Sequence, residues 1–176
     1  MQNNIISIIF LPEIFLAIST LILLIIGLFK KENSFDHICN LSVLVLILVS
    51  LSLYFNKDLD FLNYENFFKN SLFITFFKFL VIIGTICSII ISKNYFIESK
   101  LNRFEIPILI LFSALGMMIL ISANDLIAMY LGIELQSLAL YVIAAIKRDS
   151  LKSSESGVKY FVLGALSSGI LLYGFS

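Results

Sequence analysis

Six apolar stretches alternate with short polar segments along the chain. Because a hydrocarbon core of ~30 Å takes a helix of ~20 apolar residues, each stretch is long enough to cross a bilayer. The pattern predicts helices over about residues 8–29, 38–55, 71–92, 106–122, 125–146 and 156–176. We therefore predict an all-α fold, a polytopic transmembrane helical bundle of about six helices, in which residues 1–176 form a single transmembrane domain.

The lengths of the polar segments indicate how neighbouring helices are connected. Only Ala123 and Asn124 separate the fourth and fifth predicted helices, so these two helices must form a tight antiparallel hairpin. Residues 56–70 form a longer polar linker with interleaved aromatic side chains. We predict that this linker forms a short interfacial helix.

The basic residues are divided unequally between the two ends of the predicted bundle. With six crossings, one end receives Lys30, Lys31, Lys93, Lys100, Arg103, Lys147, Arg148 and Lys152, whereas the other receives Lys57 and Lys69. Short loops rich in Lys and Arg stay on the cytoplasmic or matrix side of a membrane. We therefore predict that both termini face the opposite side, the intermembrane space of a mitochondrion or the periplasm of a bacterium.

The composition excludes a soluble globular domain. Hydrophobic residues make up 60% of the chain, charged residues 14%, and the mean hydropathy is +1.02. A soluble chain of this length cannot hide so much apolar surface, so the lipid bilayer is the first predicted partner. Cys39 and Cys87 sit in apolar runs without the spacing of metal ligands, and we predict no metal site. No sequence feature indicates a nucleic-acid partner.

The start of the chain lacks the features of a cleavable signal peptide or an Arg-rich transit peptide. A chain this hydrophobic is then expected to be made beside its own membrane. Abundant Ile, Leu, Phe, Asn and Lys, together with the absence of Trp, indicate an AT-rich genome. We predict the mitochondrial inner membrane, with a bacterial inner membrane as the alternative.

Glu134 is the clearest ionisable residue inside a predicted span. It follows Asp125 by nine residues, which places it ~13 Å into the membrane at 1.5 Å per residue. A carboxylate at that depth is costly and tends to face a bundle interior or a water path, where it can take up and release protons. The alternative is a neutral Glu134 that is hydrogen-bonded between helices.

Three further ionisable residues lie nearer to the ends of predicted helices. Lys159 comes about one turn into the sixth helix, follows Glu155 by four residues, and is either functional or anchored at the surface by snorkelling. Lys78, flanked by phenylalanines in the third helix, is predicted to be such an anchor. Glu13 is predicted to have a structural role at the start of the first helix.

Small and hydroxyl side chains are concentrated in the last two predicted helices: Gly132, Ser137, Gly164, Ala165, Ser167, Ser168 and Gly169. Ala165 and Gly169 form a small-xxx-small pair of the kind that lets membrane helices approach closely. The hydroxyls can also hold water beside a carboxylate, with plain helix packing as the alternative.

Several segments between residues 102 and 175 carry a family resemblance. They are residues 102–109, 116–118, 122–126, 132–142 and 157–165, which include Gly-Ile-Glu-Leu-Gln-Ser-Leu at 132–138 and Gly-Val-Lys-Tyr-Phe at 157–161; Leu-Pro-Glu-Ile at 11–14 agrees as well. The chain thereby resembles subunit 2 of respiratory NADH:ubiquinone oxidoreductase, complex I. The likeness is greatest to the versions encoded in protist or plant mitochondria and in alphaproteobacteria.

The resemblance implies an antiporter-like subunit of the membrane arm, which couples electron transfer elsewhere in the complex to proton pumping. Glu134 matches the pumping glutamate of the family's fifth helix, and Lys159 matches a lysine of its polar pathway. Both are the candidate site residues for proton translocation. The resemblance implies no cofactor on this chain and no independent catalytic activity; NADH, FMN, iron-sulfur clusters and ubiquinone are expected on other subunits.

The chain is much shorter than members of this family, and the resemblance covers only their N-terminal part. The helices expected to hold the partner lysine of Glu134 are absent from the sequence. We expect a complementary C-terminal subunit 2 chain as a partner, together with other membrane-arm subunits, although a partial chain would have the same length. The alternatives are a structural membrane-arm subunit without its own proton path and a subunit of a related cation/proton antiporter.

Overall fold

The computed structural model describes residues 11–29, 34–55, 61–63, 68–99, 101–147 and 149–175. Within this part of the chain there are six helices and one two-stranded hairpin. The helices are α1 (Leu11–Phe29), α2 (Ser34–Phe55), α3 (Leu72–Glu98), α4 (Glu105–Ser122), α5 (Leu126–Ala144) and α6 (Leu151–Phe175). The strands are β1 (Phe61–Asn63) and β2 (Phe68–Asn70), which lie between α2 and α3.

All six helices are long and apolar enough to cross a membrane, which confirms the predicted number of spans. Large apolar side chains cover much of the outside of the bundle, as expected for a surface that faces lipid. Helix α4 lies at the centre and contacts α1, α2, α3 and α5, and more than half of its span is buried. Helix α6 lies at the edge, where it packs on α5.

Several helices extend beyond the apolar stretches that predicted them. Helix α3 continues six residues past the predicted end at 92, and α6 begins at Leu151 rather than at 156. Hydropathy marks where a chain is apolar, whereas a helix continues through Lys, Ser and Glu as long as its backbone is paired. Residues 8–10 of the first predicted helix lie outside the described residues.

Polar side chains define the starts of α3 and α5. Ser71 Oγ accepts a hydrogen bond from the backbone N–H of Ile74 at 3.3 Å, and Asp125 Oδ2 accepts one from Ile127 at 3.0 Å. Both capping residues have extended backbones, as N-caps do. Because α4 ends at Ser122 and α5 starts at Leu126, the predicted tight antiparallel hairpin of these two helices is confirmed.

The predicted interfacial helix at 56–70 is wrong over the residues that the structure describes there. These residues form antiparallel strands, with Phe61 opposite Asn70 and Asn63 opposite Phe68. Phe68 also forms a bridge with Ala123, so the hairpin lies against the connection between α4 and α5. Aromatic residues are common in strands, and pairing two short strands satisfies backbone groups at the membrane boundary. We call this side of the bundle the hairpin end.

Helices α4 and α5 approach each other through glycine. A Cβ atom added to Gly116 would lie 2.7 Å from the backbone nitrogen of Gln136 and 2.8 Å from the carbonyl oxygen of Gly132. A Cβ added to Gly132 would lie 2.9 Å from the backbone nitrogen of Leu120. Because these neighbours are backbone atoms and cannot move aside, any side chain here separates the two helices.

We expect Gly116→Ala to destabilise the bundle by ~1–3 kcal/mol, the usual cost of overpacking a close contact. The matched control is Gly84→Ala on α3, where an added Cβ meets nothing within 4 Å. The measurement is the thermal unfolding midpoint of the purified chain in lipid–detergent micelles. A fall in midpoint that is equal in both variants would contradict the glycine contact.

Candidate functional site

Glu13, Lys78 and Ser122 meet inside the bundle near the hairpin end. Lys78 Nζ lies 2.5 Å from Glu13 Oε1, and Ser122 Oγ lies 3.3 Å from the same oxygen. Glu13 is 5% exposed and Lys78 is 3% exposed. The three residues belong to α1, α3 and α4, so one buried ion pair joins three helices. We call them the charge cluster.

The buried side of α3 explains why Lys78 points inward. The buried residues of this helix follow a spacing of three and four: Thr75, Lys78, Ile82, Thr85 and Ile89. Residues at this spacing share one face of a helix. The neighbours Phe76 and Phe77 are exposed on the other faces. This spacing is the sequence signal that places Lys78 in the bundle interior.

The predicted role of Lys78 as a snorkelling anchor is wrong. A snorkelling lysine keeps its ammonium group in water, whereas this ammonium group is buried against a carboxylate. The attraction of Glu13, which is far away in the sequence, holds the ammonium group inside the bundle. Glu13 lies in the first turn of α1 as described, where helix N-termini favour acidic side chains.

Glu134 lies in the middle of α5 and is half-buried. Its Oε2 atom is buried and has no hydrogen-bond partner. It follows Gly132 by two residues, a rotation of ~200° around α5, so it lies at the level of the close contact with α4 but on another side of the helix. Among the residues that the structure describes, the only other buried side-chain oxygen without a partner is Oε2 of Glu13. A buried carboxylate oxygen in this state is suited to accept a hydrogen bond from water or to take up a proton.

Lys159 is exposed, and its ion pair is with Glu155 rather than with Glu134. Its Nζ atom lies 2.5 Å from Glu155 Oε1, four residues earlier on the same helix, and the two side chains are 70% and 62% exposed. Because α6 begins at Leu151, Lys159 stands ~12 Å along the helix rather than one turn from its start. The described chain therefore brings Glu13 and Lys78 together but leaves the two predicted site residues apart.

Helix α6 packs on α5 through aromatic rings. The ring of Tyr141 contacts Tyr160 and Phe161 edge to face, with centroid separations of 4.8 and 5.8 Å. Gly164 lies directly beneath the Tyr141 ring, where a side chain would collide with it. Ala165 and Gly169 are exposed instead, and an added Cβ at Gly169 meets nothing within 4 Å. The expected close approach at this small-residue pair is therefore not made within the described chain.

A groove of about 420 Å³ opens between α3, α4 and α5. Its hydroxyl groups include Thr85 and Ser92, which already donate hydrogen bonds to carbonyl groups of their own helix at 2.8–3.2 Å. Among the described residues, no ionisable side chain lines the groove. The groove therefore adds no charged group to the charge cluster or to Glu134.

Comparisons with known proteins give consistent matches. Residues 123–176 match a family described as NADH:quinone oxidoreductase/Mrp antiporter, transmembrane. Over 94% of the chain, it is 49% identical to NADH-quinone oxidoreductase subunit N of Beijerinckia indica and 50% identical to that of Pelagibacter ubique. It covers 35% of each of these two proteins, so the chain spans about a third of the length of the curated relatives it matches.

The fold has a match among solved structures. A chain of respiratory complex I from Thermus thermophilus with bound aureothin superposes with a TM-score of 0.75 at 26% sequence identity. The match covers 93% of this chain and 35% of that one. The six-helix arrangement is thus similar to part of a larger membrane subunit.

We expect Ser122→Ala to lower the stability of the bundle by ~0.5–1.5 kcal/mol, because the Ser122 hydroxyl, whose other acceptor is the Met118 carbonyl at 3.0 Å, is a donor to a buried charged oxygen. The matched control is Ser50→Ala, since Ser50 is only bonded to its own helix, at Ile47, and is partly exposed. Chemical unfolding in micelles measures the difference. Equal effects of the two substitutions would show that the contact with Glu13 contributes nothing.

Proposed function

Because the chain belongs to the family of antiporter-like membrane subunits represented by NADH-quinone oxidoreductase subunit N, we propose that it acts as the N-terminal part of such a subunit. In this proposal it couples quinone reduction in complex I to proton pumping across the membrane. It has no catalytic activity alone, and it works as a subunit of an H⁺-translocating NADH:ubiquinone reductase. NADH, FMN, iron-sulfur clusters and ubiquinone are proposed to bind other subunits.

The observation that carries this proposal is that Oε2 of Glu134 lacks a hydrogen-bond partner. The carboxyl group lies in the middle of a membrane-spanning helix, and its Oε2 atom is buried without a partner. A carboxylate needs either a proton or a hydrogen-bond donor in such a place. We propose that Glu134 takes up a proton from internal water and releases it again during turnover.

Lys159 is the second residue to which we assign a role in proton translocation. Its exposed position on α6 is open to helices outside this chain. A neighbouring carboxylate or water chain on those helices would bring Lys159 into the proton path. The alternative of surface anchoring, which the sequence left open, remains a prediction.

The exposed side of α6 supports a complementary chain as the partner. Apolar side chains along this helix are largely exposed, among them Leu163 at 67%, Leu166 at 61% and Ile170 at 71%. The chain spans about a third of the curated relatives, so helices of such a subunit beyond this third are available to cover α6. We propose that a complementary C-terminal chain and other membrane-arm subunits pack there.

The location follows from the same proposal. The chain is a multi-pass protein of a respiratory membrane. The matched relatives named above are bacterial. The mitochondrial inner membrane and the orientation of the termini stay predictions. Since the matched family description includes Mrp antiporters, a cation/proton antiporter is the second candidate function.

We expect Glu134→Gln to lower proton pumping and the coupled oxidation of NADH several-fold while leaving assembly intact, because an amide cannot exchange the proton. The measurement uses membrane vesicles that contain the assembled complex, with NADH oxidation and membrane potential recorded together. The matched control is Glu98→Gln, which neutralises an exposed carboxylate at the end of α3. Unchanged turnover and potential in the Glu134 variant would favour a structural subunit.

We expect Gly169→Leu to release the complementary chain without disturbing this one, because the added side chain points away from the bundle. The control is Gly174→Leu, which also meets nothing within 4 Å but lies about 140° around the helix. Co-purification of the complementary chain measures the effect. Full co-purification with the Gly169 variant would contradict α6 as the docking face.

A further inference from the structure

Glu13 shares the structural feature that singles out Glu134. Each glutamate lies on a membrane-spanning helix, and each has a buried Oε2 atom without a hydrogen-bond partner. These two atoms are the only buried, unpartnered side-chain oxygens in the part of the chain that the structure describes. The charge cluster therefore raises the same chemical question as Glu134, although neither Glu13 nor Lys78 was expected to move protons.

Helix packing alone does not explain the charge cluster. Replacing a buried ion pair by apolar side chains of similar volume is often neutral or stabilising, since both charges no longer need to be desolvated. A pair that served only to hold α1 against α3 would also be expected to use both carboxylate oxygens. Instead, Glu13 Oε1 faces both Lys78 and Ser122, while Oε2 is left open.

We propose that Glu13 and Lys78 form a second proton-exchanging site, in which Oε2 of Glu13 accepts a hydrogen bond from an internal water. The groups that face the carboxylate are the ammonium of Lys78 from α3 and the hydroxyl of Ser122 from α4. Lys78 supplies the compensating charge, and the Ser122 hydroxyl can donate either to Oε1 or to the Met118 carbonyl of its own helix. This proposal rests on the proposed function, because it assigns the site to proton translocation.

The number of protons bound by Glu13 and Lys78 together is the same before and after the exchange. A proton that arrives through water at Oε2 neutralises the Glu13 carboxylate, and Lys78 loses the partner that stabilises its charge. Lys78 then releases one proton from Nζ to water. The carboxyl group then turns so that its protonated oxygen faces Nζ, and transfer of this proton to the free amine restores the ion pair. One proton enters and one leaves, and no other reactant is needed.

Lys78→Arg is the sharpest test of this exchange. Arginine keeps the positive charge and the ion pair but does not release its proton in proteins. A packing role predicts normal assembly and normal pumping in this variant. Our proposal predicts normal assembly with fewer protons moved per NADH oxidised, measured with the assembled complex in sealed lipid vesicles.

The double variant Glu13→Gln/Lys78→Met covers the case in which arginine does not fit. It leaves no unpaired buried charge, so we expect the complex to assemble, whereas each single neutral variant leaves one charge behind. The proton-to-NADH ratio should fall in the double variant. The matched control is Asp36→Asn/Lys93→Met, which removes a partly exposed ion pair with a separation of 3.3 Å and should leave the ratio unchanged.

The outcomes separate this inference from the proposed function. A normal ratio in the assembled double variant overturns the inference, and so does a double variant that fails to assemble, because the pair then has a packing role. Glu134→Gln is measured alongside. If that variant pumps normally, the proposed function fails; if it pumps poorly while the double variant pumps normally, only the second site fails.

Discussion

Hydrocarbon offers no hydrogen-bond partner, so each polar atom inside this bundle depends on the protein for one. The helices satisfy their own backbone groups, and most hydroxyls follow the same rule. Ser19, Thr20, Ser42 and Thr85 each donate to a carbonyl group three or four residues earlier, at 2.7–2.9 Å. Such side chains are compatible with lipid-embedded helices without any water path. Polar residues in the spans therefore do not by themselves indicate function.

Charged side chains cannot use this local solution, because a backbone carbonyl does not neutralise an ammonium group. Glu13 and Lys78 neutralise each other across two helices that are far apart in sequence. Their contact therefore fixes the register of α1 against α3. Glu155 and Lys159 pair within one turn of α6, and such a pair places no constraint on the position of the helix. Two ion pairs of equal separation thus have different structural consequences.

The number of helices could be predicted from the sequence because it depends on the length of apolar stretches, which is a property of the chain alone. The tight turn between α4 and α5 followed from the two residues available for it. The inward position of Lys78 does not follow from hydropathy, which is the same for every face of a helix, but its spacing from Thr75 and Ile82 indicates it. The unpartnered Oε2 atom of Glu134 could not be predicted, since it depends on which hydrogen-bond donors the neighbouring helices bring within reach.

Helix α4 connects the two glutamates mechanically. Ser122 at its end contacts the Glu13 carboxylate, and Gly116, ~9 Å away along the helix, contacts the backbone of α5 at Gly132 and Gln136. Because the contact of Gly116 with Gly132 is made by backbone atoms, there is no flexible side chain to absorb a shift of α4. A change of charge at Glu13 that moves Ser122 would therefore be passed to α5. The charge cluster and the backbone of the α5 segment that carries Glu134 are in this way packed against the same helix.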